Sequence, residues 1–325
     1  QNSMIKKLGP VKELVEKKID EIVLSIQNNL ELSYEDFFNA KSKVVPSGLR
    51  DKSFERPKVT MNDVYGLNNQ KIIVEDEIIN YIKYKYSFQR LGLKAIKGIL
   101  FYGPPGNGKT MLAKAIANEV DWNFLLVSGP ELLSKFVGES EEQIRYIFDK
   151  ARQFSPCIIF FDELDSVAPP RDKAKDTHVY ASVVGQLLAE IDGLKSLEDV
   201  IIIGATNRID LIDRALLREG RLDFKLQFLE PSFEDRLEFV IKDLIKKEKS
   251  DLLDKEFNIE KIAHYIAEHS SGYSGATLSF ILSHAPRISL KRSNYSEEVI
   301  LKETDYMDAL ESYQSDKNNP TNINN

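Results

Sequence analysis

"FYGPPGNGKT", residues 101–110, decides the fold. Gly103, Gly106 and Gly108 close on Lys109 and Thr110 and satisfy the spacing G-x-x-x-x-G-K-[ST] in full. An apolar strand-like run, "KGILFY" (97–102), precedes them, and a helix-forming run, "MLAKAIANEV" (111–120), follows. A strand, a glycine turn and a helix in that order let backbone N–H groups curl around phosphate oxygens while the helix N-terminus adds its positive end. A chance glycine turn would not carry both flanks. The residues expected to enclose a nucleotide here are Pro105, Gly106, Asn107, Gly108, Lys109, Thr110 and Met111. Lys109 is then expected to neutralise the β- and γ-phosphates and the Thr110 hydroxyl to bind magnesium.

Short apolar runs rich in β-formers continue outward from that loop: "GILFY", "NFLLV", "CIIFF", "VIIIGA" and "FKLQF". Amphipathic helical stretches separate them, the signature of a parallel sheet between helices. One stretch, "EEQIRYIFDKARQF", sets Ile144, Ile147, Phe148 and Ala151 on a single face. After "LEPS" (229–232) the strand pattern stops, and 233–313 reads as helical. The expected organisation is a large α/β domain over 51–231, a small helical domain over 232–313 and a polar, asparagine-rich disordered tail over 314–325. Residues 4–50 read as helical but are too few for a domain, and the segment that follows, "DKSFERPKVTMNDVYGL", reads as an extended linker. "EDFFNA" (35–40) and "TDYMDA" (304–309) form a weak internal repeat.

The 325 residues carry a formal charge of −7 with both signs mixed throughout, which argues against a protein built to grip duplex nucleic acid. No apolar run approaches the roughly 20 residues that span a bilayer. Cys157, the single cysteine, lies inside "CIIFF" and reads as a core residue in a reducing interior.

Three further stretches carry chemistry. "CIIFFDELD" (157–165) ends a strand in Asp162 and Glu163, and ligands gather at the carboxyl ends of parallel strands. Asp162 is the candidate to hold magnesium and Glu163 the candidate base for an attacking water. "VIIIGATN" ends on Asn207, an amide that serves equally as a turn former or as a group sensing the γ-phosphate. In "DRALLREGRLDF", Arg218 and Arg221 lie three apart at the end of a predicted helix, out of easy reach of a phosphate bound by the same subunit. A neighbour's phosphate is within reach; a surface pair with Glu219 and Asp223 is the plainer alternative. "LLSKFVGESE" (132–141) reads as a loop carrying Phe136 beside Lys135 and Val137.

Taken together, "GPPGNGKT", "FFDELD", "KFVGES", "ATNRIDLIDRALLREGRLD" and "SGYSGATL" resemble the classical clade of AAA+ ATPases, over residues about 57–313. The nearest likeness is to the second ATPase domain of the valosin-containing, ubiquitin-linked segregase family. The resemblance implies a P-loop NTPase with a five-stranded parallel sheet and a small all-helical lid. It implies ATP and Mg2+ as cofactors, a homo-hexameric ring, and protein substrates, ubiquitinated and delivered by adaptors, threaded through a central pore. Asp63, Val64, Tyr65 and Gly66 match the segment that holds adenine, and Gly275 and Ala276 match the lid turn over the nucleotide. Asn207 matches the first sensor, Arg218 and Arg221 the fingers acting in trans, and Phe136 the aromatic that grips substrate. Residues 4–45 match the end of a preceding lid. The family's setting is cytoplasmic, with nuclear or organelle-surface locations besides.

The chain also departs from the family pattern. Arg214 and Glu219 stand where proline is usual, and Ala181, Ser182 and Gly185 replace an Asp-Arg pair and an asparagine. Val137 replaces a second aromatic, and the tail lacks an acidic-hydrophobic ending. These differences imply a divergent paralogue. Two other readings stay open: a remodeller of one dedicated complex (pre-ribosomal, peroxisomal or membrane-fusion), and a nucleotide-dependent structural ring that seldom hydrolyses.

Overall fold

Five consecutive apolar runs become neighbouring strands because each is too short and too rich in β-branched and aromatic residues to bury itself as a helix. In the computed structural model they are β2 (Gly98–Tyr102), β3 (Asn123–Ser128), β4 (Cys157–Asp162), β5 (Val200–Thr206) and β6 (Phe224–Gln227). The structure describes residues 54–93, 96–133, 139–170, 177–194, 199–296 and 298–318. The expected helices of 4–50 and the loop residues Lys135, Phe136 and Val137 lie outside them.

The five strands are parallel to one another, and a sixth, β1 (Phe54–Glu55), adds an antiparallel edge against β3, giving the order β1-β3-β4-β5-β2-β6. β1 is absent from the sequence expectation because two residues carry no readable alternation. The order matters more than the count. It sets β4, β5 and β2 side by side, so the segments leaving their carboxyl ends meet at one edge.

Helices cover both faces. Ahead of the sheet run α1 (Asn68–Val74), a π-helical stretch (Glu75–Ile79), α2 (Asn80–Lys83) and α3 (Lys85–Arg90). Within and after it come α4 (Lys109–Glu119), α5 (Gly129–Leu133), α6 (Glu139–Gln153), α7 (Leu164–Val167) and α8 (Thr177–Gly193). Ile144, Ile147, Phe148 and Ala151 of α6 are all buried, as their spacing requires. Cys157 is fully buried, which pushes its thiol up to about 12.

From Ser232 onward the chain is helical, in α9 (Phe233–Glu248), α10 (Ile259–His269), α11 (Gly275–Arg292) and α12 (Glu303–Asn318). α9 starts on a capping box in which Ser232 and Asp235 exchange hydrogen bonds. These helices share a core of their own around Val240, Ile266, Ile281 and Tyr306, separate from the core of the sheet. Asp305, 1% exposed, is held by two bonds of 2.9 Å from the Arg292 guanidinium and tethers α12 to α11. α12 continues to Asn318, so the disordered tail expected from 314 does not begin there. Leu310 is buried and Tyr313 packs edge-on to Tyr273 at 5.3 Å, and this packing carries the helix past the last apolar residue.

Residues 214–220 form successive turns, not the helix the sequence suggests. The Asp213 carboxylate accepts the Ala215 N–H at 2.8 Å, and the Leu222 N–H closes back on the Leu216 carbonyl at 3.0 Å. The left-handed Gly220, φ 82°, and this closing bond reverse the chain before a helical ladder can propagate.

Candidate nucleotide-binding site

β2 ends at Tyr102, and the next residue shows why the loop must begin with glycine. Gly103 has φ 140°, and a Cβ there would lie 1.8 Å from the Phe228 carbonyl oxygen. We expect Gly103→Ala to destabilise the protein by more than about 3 kcal/mol, read as a lowered midpoint in denaturant. A midpoint unchanged within error would contradict this close approach. Gly106 and Gly108 follow at φ 75° and 83°, reversing the chain into α4.

That reversal delivers Lys109, 8% exposed, to the centre of the site. Its ammonium donates to the carbonyls of Gly103 at 2.8 Å and Pro104 at 2.9 Å, and to Asn207 Oδ1 at 2.9 Å. Burial lowers its pKa, and the Asp162 and Asp165 carboxylates oppose that shift. Its three hydrogen-bond partners are neutral oxygens, so none of them neutralises the cation by direct contact.

Next to it, the Thr110 hydroxyl donates to Asp162 Oδ2 at 3.3 Å, and Asp162 Oδ1 accepts the Glu163 N–H at 3.0 Å. A hydroxyl beside a strand-end carboxylate is an oxygen pair suited to a hard cation such as Mg2+. Glu163 adopts φ 50°, ψ 49°, a left-handed conformation that costs a residue other than glycine on the order of 1 kcal/mol. Ser166 holds it there, with its N–H at 2.9 Å and its hydroxyl at 2.7 Å from the Glu163 carbonyl. The Glu163 side chain is exposed.

Asp165 and Thr206 escaped the sequence reading. Thr206, almost fully buried, donates to Asp165 Oδ1 at 2.6 Å and accepts the Arg208 N–H at 2.9 Å. The pair fixes the end of β5, from which Asn207 reaches Lys109. The one available signal was the third acid of "DELD", three residues beyond Asp162.

The segment expected to hold the base, residues 63–66, packs against α9 of the helical part. The Asp63 carboxylate accepts from the Thr60 N–H at 2.9 Å and hydroxyl at 2.7 Å; these bonds hold it below the usual carboxylate range and commit it to its own turn. The buried Val64 gives its carbonyl to the Lys71 ammonium. Tyr65 stacks edge-on against Phe239 of α9 at 5.2 Å, with the Lys242 ammonium 5.6 Å from its ring centre. Gly66, at φ 63°, passes Asp235 of α9 closely. Pro105 and Met111 are exposed at the loop's rim. Gly275 and Ala276 open α11 directly on the loop: the Ala276 N–H donates to the Gly106 carbonyl at 2.9 Å, and the Gly275 N–H to Asn107 Oδ1 at 3.4 Å.

The two arginines are not equivalent. Arg218 is exposed. Arg221 is engaged within its own chain: its guanidinium donates to both Asp192 oxygens, at 2.8 and 2.7 Å, and to the Ala215 carbonyl at 2.7 Å. The bond to Asp192 raises the Arg221 pKa, and the partner is not Glu219. At the positions that depart from the family pattern, Ser182 donates to Glu141 of α6, and Gly185 faces open space.

Comparison with known proteins agrees with this geometry. Residues 99–229 match the family model "ATPase family associated with various cellular activities (AAA)". The chain is 43% identical over 277 residues to the Cell division cycle protein 48 homolog of Archaeoglobus fulgidus, covering 85% of this chain and 37% of that protein. It is 41% identical over 280 residues to Protein CdcH of Halobacterium salinarum (86% and 37%), and 45% identical over 275 residues to Protein SAV of Sulfolobus acidocaldarius (85% and 34%). The chain thus spans little more than a third of the length of these curated relatives. Among the described residues no helix is long and apolar enough to cross a membrane. Residues 99–229 thus form an AAA ATPase domain, set on a six-stranded, mostly parallel sheet with a helical C-terminal part, in a chain whose relatives include proteins of the Cdc48 type.

Proposed function

We propose that this chain binds ATP with Mg2+ on the loop Pro105–Met111 and hydrolyses it as one subunit of a homo-hexameric segregase that threads or extracts protein substrates. The observation that carries the reading is the convergence of three strand ends: Lys109 bonded to Asn207, and Thr110 bonded to Asp162. Lys109 exchanges its carbonyl partners for the β- and γ-phosphate oxygens. Thr110 and Asp162 would hold the metal, which supplies charge neutralisation of the phosphates when bound. Asn207, fixed by the Asp165–Thr206 pair, orients the attacked end, and Glu163 takes the proton of the attacking water. Tyr65 and its neighbours hold the base, while Gly275 and Ala276 close the lid over the nucleotide. Phe136, between Lys135 and Val137, grips the extended substrate, and Arg218 and Arg221 serve a neighbouring subunit. Ubiquitinated clients brought by adaptors, in the cytoplasm, nucleus or at organelle surfaces, complete the reading.

The test is ATP affinity, measured by titration of a fluorescent analogue into the wild type and Lys109→Ala. We expect the variant to bind about 10²-fold more weakly or worse, since charge-assisted phosphate bonds are lost from a partly buried site. Equal affinity in the two proteins would sink the assignment of the loop.

A second reading, a structural ring that binds ATP and seldom hydrolyses it, draws support from the engagement of Arg221 by Asp192. Turnover decides between them.

A further inference from the structure

Glu163 caps α7, and a residue at that position is ordinarily extended. It sits instead at φ 50°, ψ 49°, with no side-chain bond capping the helix. Glutamate does not choose this conformation, so the surroundings must impose it.

Two residues do so, and both act on the Glu163 carbonyl. Ser166 donates to that oxygen twice, from its N–H at 2.9 Å and from its hydroxyl at 2.7 Å. Gly129, buried at the exit of β3, closes on the same point. A Cβ there would come 2.5 Å from the Glu163 carbonyl oxygen, 2.3 Å from Ser166 Oγ and 2.9 Å from Val167 Cγ2. Gly129 is not one of the left-handed glycines, so it supplies room and not a turn. The sheet order shows why room is scarce. β4 runs between β3 and β5, and the short helix leaving its end is seated on residues from both neighbours. From β5, a Cβ on Gly204 would come 2.7 Å from Leu164 Cδ2. Leu164 and Val167 are themselves almost fully buried, so α7 has nowhere to yield.

We infer that Ser166 and Gly129 are positioning residues for the Glu163 carboxylate. The Ser166 hydroxyl fixes the strained carbonyl, and the missing side chain at 129 leaves the space in which it is fixed. The direction of the Cα–Cβ bond follows φ and ψ. A Glu163 relaxed to the extended form usual at a helix start would therefore aim its carboxylate elsewhere, while Lys109 and Thr110 keep their own bonds. This rests on the reading of Glu163 as the base given above.

Single-turnover hydrolysis at saturating ATP, paired with fluorescent-nucleotide titration of the same full-chain preparations, tests it. Ser166→Ala should slow hydrolysis about fivefold to tenfold, the size expected for one lost hydrogen bond. Gly129→Ala must push a backbone carbonyl aside by about 1 Å and should slow hydrolysis about 10²-fold. Nucleotide affinity should stay within about threefold of wild type in both. The discriminating step repeats each substitution in a Glu163→Gln background. Residues that act through the carboxylate have nothing left to position there, so each should change the residual rate by less than about twofold. A general structural defect would slow both backgrounds alike. The inference is overturned if Ser166→Ala hydrolyses within twofold of wild type, if affinity falls in step with rate, or if the full factor persists beside Glu163→Gln. A Gly129→Ala protein that does not fold is identified by its unfolding midpoint, and Ser166→Ala then decides. If Glu163→Gln itself hydrolyses as fast as wild type, the assignment of the base has failed, and the role of its two supports falls with it.

Discussion

Replacing Glu163 by glutamine slows ATP turnover by about 10²–10⁴-fold while nucleotide affinity stays within about threefold. The magnitude is that of losing a positioned general base. The selectivity follows from geometry. The Glu163 N–H, carbonyl and left-handed backbone are tied down by Asp162 and Ser166, so the amide replacement inherits the same placement. Lys109, Thr110 and Asp162 keep their own bonds, none of which passes through the Glu163 carboxylate. Glutamine also carries the same backbone strain, so the unfolding midpoint should be unchanged. The measurement pairs steady-state turnover with nucleotide titration on the same preparation. Turnover within threefold of wild type would assign the base elsewhere, with Asp165 the nearest remaining acid of the "DELD" run.

What could be read ahead of the structure follows the range of the forces involved. The phosphate loop was legible because its demands are local: three glycines for three left-handed or crowded positions, between a strand and a helix. The parallel sheet was legible because buried strands write themselves as apolar runs. β1 was not, since two residues hold no period. The turns at 214–220 defeated helical spacing because the chain closes on itself there, the Leu222 N–H bonding back to the Leu216 carbonyl through the left-handed Gly220. The contacts that give the site its character lie far apart in sequence. Asn107 meets Gly275, Lys109 meets Asn207, and Thr206 meets Asp165. Each depends on the order in which strands line up, which no local pattern states. The left-handed backbone of Glu163 is of the same kind: its support comes from Ser166, and glutamate itself gives no sign of it.

Arg218→Ala should lower the turnover of the assembled protein by about 10³–10⁵-fold, the range for an arginine supplied across an interface. The two arginines start from different states, which makes the experiment discriminating. Arg221 is paired bidentately with Asp192, so its removal also strips a contact joining α8 to the lead into β6. Arg218 is exposed, and its removal should leave the unfolding midpoint within about 0.5 kcal/mol of wild type. If Arg218 acts in trans, wild-type turnover per subunit must rise with protein concentration and then saturate. Mixing supplies a second consequence. An Arg218→Ala subunit retains Glu163 and lacks only its neighbour's benefit from the arginine, whereas a Glu163→Gln subunit still presents Arg218. Two inactive proteins should therefore regain activity together, at roughly a quarter of interfaces for random assembly in a ring. Recovery on mixing requires the arginine and the glutamate to belong to different subunits. A rate independent of concentration, with no recovery on mixing, would instead confine catalysis to one chain. Nucleotide binding without turnover at any concentration would favour the structural ring, with Asp192 holding Arg221 back from the interface.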